Sequence, residues 1–202
     1  MKLLSFKITY SYEHFLFHCL CYKNKNGEKI MKIGIIGVGN ITLELANRSA
    51  QSGHEVLISN PRGTSTIKDL VQNMGTNVKL VHTCEAATAE IIIVFLPREN
   101  LEVSIHDLPD MTGKIILHTN NPIFNVNTIS STTSDQSSCS LLASLLPTSH
   151  VVKVFNPLEP IVMNHNRTKI FFTGEDQKAK NNVKAFLYTL NLSGIDLSEL
   201  NT

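Results

Sequence analysis

Residues 31–42 read Met31-Lys32-Ile33-Gly34-Ile35-Ile36-Gly37-Val38-Gly39-Asn40-Ile41-Thr42. Lys32 to Ile36 is a short apolar run ending in glycine, the mark of a buried strand. Residues 41–51 then carry apolar side chains at helical spacing, and Ser52-Gly53 supplies a C-terminal stop. Gly37 to Thr42 joins the two. A glycine pair of this kind says little alone. Placed after a strand, opening a helix and starting a domain, it predicts a phosphate-binding turn. Gly37 permits the tight turn. Gly39 has no Cβ, so a pyrophosphate can approach the backbone beside Val38, Asn40 and Ile41. The helix N-terminus offers that anion free N–H groups and the positive end of a dipole. The third small position of the pattern holds Thr42 instead, and its β-branch is expected to push the helix outward or rotate it slightly. The plain alternative is a glycine turn that only joins strand to helix.

Working outward, the same alternation repeats. Strands are predicted at 55–59, 78–81, 90–95, 114–118, 151–155 and 169–173, with a last one at 194–197. Helices are predicted at 64–74 (capped by Thr64), 83–89 (capped by Thr83), 98–108, 141–146 and 176–190. Residues 128–140, rich in Ser and Thr, read as an exposed loop. The fourth strand is apolar almost throughout, which implies burial on both faces, as in a parallel sheet covered by helices. The pattern predicts a single-domain α/β fold, Rossmann-like, with a doubly wound and mostly parallel sheet.

The end of the second strand bears on which dinucleotide is bound. An NAD site carries Asp or Glu there, about 20 residues beyond the glycines, for the ribose 2′-hydroxyl. Here the chain reads Ser59-Asn60-Pro61-Arg62-Gly63, with no carboxylate to repel a 2′-phosphate. Ser59 and Asn60 can donate hydrogen bonds, and Arg62 supplies a planar fork suited to phosphate. NADP is therefore expected over NAD. The alternative is a turn with a solvated arginine.

Composition narrows the field. Of 202 residues, 42% are hydrophobic and 17% charged, a globular balance. Such a chain buries about 70% of its unfolded surface and needs no disulfide staples. Eighteen Lys and Arg against 17 Asp and Glu leave a net charge of +1, with no basic footprint for nucleic acid. Cysteines at 19, 21, 84 and 139 form no CxxC pair, which fits a reducing, cytoplasmic setting. No apolar run approaches the roughly 18 residues a membrane span needs.

Residues 1–30 differ from the rest. The run 15–22 resembles a short signal core, but Glu13, His14 and His18 interrupt it and no cleavage site follows. Cys19 and Cys21 with His14 and His18 lack zinc-site spacing, so no metal site is expected. Residues 1–30 read as a mobile extension or as sequence upstream of a start at Met31, and 31–202 as the NADP-binding domain.

These residues resemble the NADP-dependent coenzyme F-420 reductase family, whose opening segment is also similar to that of pyrroline-5-carboxylate reductases. Met31 to Ile41 looks like the family's first strand and turn, and Ser59 to Gly63 like its NADP-selecting turn. Phe95-Leu96-Pro97 resembles its strand-four end along the nicotinamide side. Lys114 to Leu117 with Asn121-Pro122, Val151 to Asn156, Phe171 to Asp176 and Asp196-Leu197 resemble its later segments. The resemblance implies hydride transfer between NADPH and a deazaflavin or flavin-like acceptor, aligned against the nicotinamide with little acid–base chemistry. It places Leu96, Pro97 and Asn121 beside the cofactor and implies no dedicated catalytic residue. Arg98 stands where the family has an aromatic residue and His118 where it has an acid. The family's closing tail is expected to be missing after Thr202, which leaves the acceptor side incomplete and makes a homodimer an expectation. A non-catalytic NADP-binding redox sensor is the alternative. Pyrroline-5-carboxylate reduction is set aside for want of a helical C-terminal domain, and a ferric reductase for want of membrane helices.

Some single residues complete the reading. His118 is either a general acid at the carboxyl edge of the sheet or a structural histidine. Cys84 and Cys139 read as unreactive thiols, His54 and His150 as solvated. Asn156 and Lys153 are placed near the cleft.

Overall fold

The computed structural model describes residues 29–63, 65, 67–120, 138–155 and 167–200. The chain divides into two compact units, Met1–Ile30 and Met31–Thr202. The second unit runs β1 (Lys32–Ile36), α1 (Asn40–Gln51), β2 (Glu55–Ser59), α2 (Lys68–Asn73), β3 (Val78–Leu80), α3 (Thr83–Ala86) and β4 (Ile91–Val94). A 3₁₀ turn (Arg98–Asn100) leads into α4 (Leu101–Ile105). Then come β5 (Ile115–His118), α5 (Ser138–Leu145), β6 (His150–Val154), β7 (Thr168–Gly174), α6 (Gln177–Thr189) and β8 (Leu192–Asp196).

The strands form one eight-stranded sheet in the order β3-β2-β1-β4-β5-β6-β7-β8. All neighbours are parallel except β6 and β7. After β3 the chain returns to place β4 on the other side of β1, so the strand order reverses between β1 and β4. Ligands of such sheets bind in the crevice outside the carboxyl ends at that point.

Alternation within each strand serves two cores. Ile33, Ile35, Val56, Ile58, Ile91 and Ile93 pack under α1 and α6. Ile36, Leu57, Ile92, Val94 and Ile116 pack under α3, α4 and α5. This is why the fourth strand has no polar position. Its last rung continues across the sheet, since Ser59 pairs with Ile36, Ile36 with Val94, Val94 with His118 and His118 with Lys153.

Several local expectations are corrected. The second helix begins at Lys68 rather than 64, and Thr64 lies outside the described residues. Thr83 is the first residue of α3, and the capping position is His82. The predicted helix over 98–108 divides into a 3₁₀ turn and a five-residue helix. Residues 138–140, read as loop, open α5, and 128–137 lie outside the described residues. The last strand starts two residues earlier than expected. His54 is fully buried rather than solvated. Its Nδ1 accepts from the Met31 N–H at 3.3 Å, and its Nε2 lies 2.9 Å from Thr189 Oγ1. That contact joins the start of β2 to the end of α6. Ser52 Oγ donating to the Thr189 carbonyl (2.8 Å) and Arg48 Nη1 donating to the Leu190 carbonyl (3.2 Å) brace α1 to the same place. A sequence reading sees only the loop position of His54 and none of these partners. His150, in contrast, is partly exposed, with Nδ1 3.8 Å from Asp176 Oδ2.

Candidate functional site

The glycine turn closes the carboxyl end of β1. Gly37 adopts φ +86°, a conformation open to glycine, and its N–H donates to the Ser59 carbonyl at 2.9 Å. A Cβ on Gly37 would overlap the Phe95 carbonyl. Gly39 is extended, and a Cβ there would lie 2.7 Å from Phe95 Cε1. The group that uses the open space at Gly39 in this structure is therefore the Phe95 ring, a neighbour that pattern reading does not reveal.

Thr42 is fully buried. Its Oγ1 accepts from the Gly39 N–H at 2.9 Å and donates to the Gly39 carbonyl at 3.0 Å. Reading Thr42 by bulk alone missed this hydroxyl, which caps the helix from inside the turn. The helix start leaves the N–H groups of Asn40 and Ile41 without intrahelical acceptors, and no acidic residue sits in its first turn. The edge there presents donors and no competing carboxylate.

The turn after β2 lies beside it. Asn60 Nδ2 donates to the Gly63 carbonyl at 2.8 Å, and the Gly63 N–H donates to the Asn60 carbonyl at 3.0 Å. This closes the turn and holds Arg62 at its tip. Arg62 is exposed, and its Nη2 donates to the Val38 carbonyl at 3.1 Å. The guanidinium thus bridges the two turns that the sequence reading assigned to different phosphates. Ser59 is buried, with Oγ 2.8 Å from Thr83 Oγ1.

A cavity of about 510 Å³ opens along this edge. Arg62, Leu96 and Pro97 line it, as do His82, Thr83, Cys84 and, from α4 and the segment after it, Val103 and Asp107. Sequence reading missed this second set. Thr83 was read only as a helix cap, and nothing local says that α3 faces the β2 turn. Across the crevice, Asn120 Nδ2 donates to the Leu96 carbonyl at 2.9 Å and Thr119 Oγ1 to the Val94 carbonyl at 3.1 Å. These bonds fix the ends of β4 and β5 together.

Of the predicted site residues, Gly37, Val38, Gly39, Asn40, Ile41, Ser59, Asn60, Arg62, Leu96 and Pro97 gather at this carboxyl edge. Asn121 and Asn156 lie outside the described residues. His118 is fully buried at the last rung of β5. Cys84 Sγ donates to the Asp107 carbonyl at 3.2 Å. Burial pushes the Cys139 thiol above its ordinary value, against the nearby Lys153 charge and with help from Glu175. A thiol held protonated is a poor nucleophile. Among the described residues, no group of three His, Cys, Asp or Glu is placed to hold a metal ion, and no helix is long and apolar enough to cross a membrane.

Comparison with known proteins bears on the fold and on the segment that carries the glycine turn. Residues 32–122 match the family described as NADP oxidoreductase, coenzyme F420-dependent. Rat Metalloreductase STEAP3 is 26% identical over 176 residues, which are 84% of this chain and 34% of that protein. The chain spans about a third of this curated relative. Setting a ferric reductase aside for want of membrane helices thus passed over this relative, because the likeness covers only 34% of it. Among solved structures, SMa0349 of Sinorhizobium meliloti is 24% identical with a TM-score of 0.68, covering 83% of this chain and 84% of that one. A proposed F420-dependent NADP-reductase of Arthrobacter sp. FB24 is 21% identical, with a TM-score of 0.65 and the same coverage. An imine reductase of Aspergillus terreus, in complex with NADPH4 and dibenz[c,e]azepine, is 20% identical with a TM-score of 0.63, covering 83% of this chain and 55% of that one. These structures share the fold. Over residues 32–122 the chain is therefore similar to the coenzyme F420-dependent NADP oxidoreductase family.

Proposed function

We propose that this chain binds NADPH across the carboxyl edge of β1, β2 and β4 and passes a hydride to a small deazaflavin- or flavin-like acceptor. The observation that carries the reading is the Arg62–Val38 hydrogen bond, which holds a fixed cation against a glycine turn with open N–H groups. The donor set fits the cofactor. Asn40 and Ile41 would hold the pyrophosphate, Ser59, Asn60 and Arg62 the adenosine ribose and its 2′-phosphate. Asn60 Oδ1 is buried with no donor among the described residues, an acceptor suited to a ribose hydroxyl. When bound, the dihydronicotinamide supplies the hydride. The protein's part is to orient it and keep water out, with Leu96, Pro97 and the Asn120-anchored end of β4 as the wall. The chain acts in the cytoplasm, as a homodimer, with residues 1–30 as an extension outside the working domain.

NADPH and NADH titrations test the cofactor assignment. Arg62→Ala is expected to raise the NADPH dissociation constant roughly 10- to 100-fold, the range of a charge-assisted hydrogen bond, and to leave NADH binding nearly unchanged. Equal or tighter NADH binding by the wild type, indifferent to this substitution, contradicts the assignment. NADPH oxidation is then assayed with a deazaflavin, a flavin and ferric chelates. The STEAP3 likeness is the reason to include the last. Tight NADPH binding without oxidation by any of them replaces the enzyme with a redox-sensing module.

A further inference from the structure

The cavity beside the β2 turn has a second side chain able to carry positive charge. His82 is exposed and lines that cavity together with Arg62. Its backbone is held in place. The His82 carbonyl accepts from the N–H groups of Glu85 and Ala86, both at 3.0 Å, and the next residue, Thr83, is tied to Ser59 at the end of β2. The two residues are 20 apart in the chain and reach one cavity through the pairing of β2 with β3.

We propose that His82, when protonated, is a second reader of the adenosine 2′-phosphate, so that the preference for NADPH over NADH steepens as pH falls. The proposal rests on the NADPH reading above. A phosphate monoester carries about −1.5 to −2 charges near pH 7, more than one exposed guanidinium offsets. An imidazole is the side chain that changes charge between pH 5 and 8. Among the described residues, three other titratable or charged groups join His82 in lining the cavity. Arg62 lines the same cavity from the β2 turn. Cys84 and the exposed Glu85 follow His82 on α3. Asp107 lines the cavity from beyond α4, with its carboxylate engaged by His106 Nδ1 at 2.8 Å. His82 supplies the missing charge in the cavity that Arg62 also lines, where Asp107 is hydrogen-bonded to its own histidine.

The probes are 2′,5′-ADP and 5′-AMP, which differ by the 2′-phosphate. Their affinities for the full chain, His82→Gln and His82→Lys are measured at about pH 8 and about pH 6, bracketing imidazole titration. The 2′-phosphate itself takes up a proton near pH 6, so each variant is compared with the wild type at the same pH. His82→Gln is expected to reduce the preference for 2′,5′-ADP about three- to fivefold at the lower pH and to leave it unchanged at the higher one, in keeping with an exposed charge pair. His82→Lys is expected to keep the low-pH preference at both. If His82→Gln follows the wild type at both values while 2′,5′-ADP still binds selectively, the role of His82 is overturned and the NADPH reading stands. If the wild type shows no preference for 2′,5′-ADP at either pH, both fail together.

Discussion

Replacing Gly37 with alanine is expected to raise the NADPH dissociation constant by at least two orders of magnitude. Two effects combine at this position. The residue holds φ +86°, which costs a side-chain-bearing residue about 1–2 kcal/mol. The added Cβ also meets the Phe95 carbonyl at the end of β4, which cannot move without breaking the Phe95 N–H bond to the Ile36 carbonyl at 2.9 Å. Overpacking of this kind adds about 1–3 kcal/mol. Relief comes only by shifting the turn or parting β1 from β4, and either displaces the N–H groups of Asn40 and Ile41. Denaturant unfolding should show a loss of about 2–5 kcal/mol, the two costs taken together. A folded Gly37→Ala protein that binds NADPH within about twofold of the wild type would show that the turn does not hold the cofactor.

Asp196→Ala is expected to cost about 3–5 kcal/mol of stability, the range for removing one partner of a buried ion pair. Lys180 Nζ lies 2.8 Å from Asp196 Oδ2 and donates to Ser198 Oγ at 2.9 Å, and both charged residues are more than nine-tenths buried. The alanine variant leaves the ammonium of Lys180 inside the protein without its counter-charge. The double variant Lys180→Met/Asp196→Leu, which removes both charges, should recover most of the loss. If the single and double variants are equally destabilised, the cost lies in packing and not in the orphaned charge. The pair also sets a pH dependence. Burial works against ionisation of Asp196, but hydrogen bonds from Lys180 and Ser198 and the Lys180 charge outweigh it and hold the carboxyl below the ordinary aspartate value. A lowered folded value means that this stability is fully present above the unfolded pKa of about 3.9 and is lost as pH falls through the folded one. Acid unfolding followed at several denaturant concentrations should show the Asp196→Ala protein losing less stability than the wild type across that range.

The central sheet was legible because its chemistry is local. Ile91 to Val94 are apolar at every position, and a run of that kind is stable only between two helical layers. The long helices were legible for the same reason. Asp176, for example, caps α6 through a 2.6 Å bond from the Ala179 N–H. The short helices α2, α3 and α4 were drawn too long. Four to six residues hold too little periodicity to mark their ends, and packing against the sheet decides where they stop.

The residues at the site divide along the same line. Gly37, Gly39, Ser59, Asn60 and Arg62 were proposed from residue type and spacing, because a left-handed turn, a missing carboxylate and a phosphate-matching fork are properties of the residues themselves. Phe95 against Gly39, Thr83 against Ser59, Arg62 on the Val38 carbonyl and His82 on the cavity wall came only from the tertiary structure. Each joins residues 20 or more positions apart, or from separate strands, so it exists only once the register β3-β2-β1-β4 brings those strand ends to one edge. Residue chemistry alone pointed to a dinucleotide turn and to NADP as its cofactor. Which side chains line the cavity beside that turn was decided by strand pairing, because hydrogen bonds act over about 3 Å while the chain between these residues must travel the length of the sheet and back.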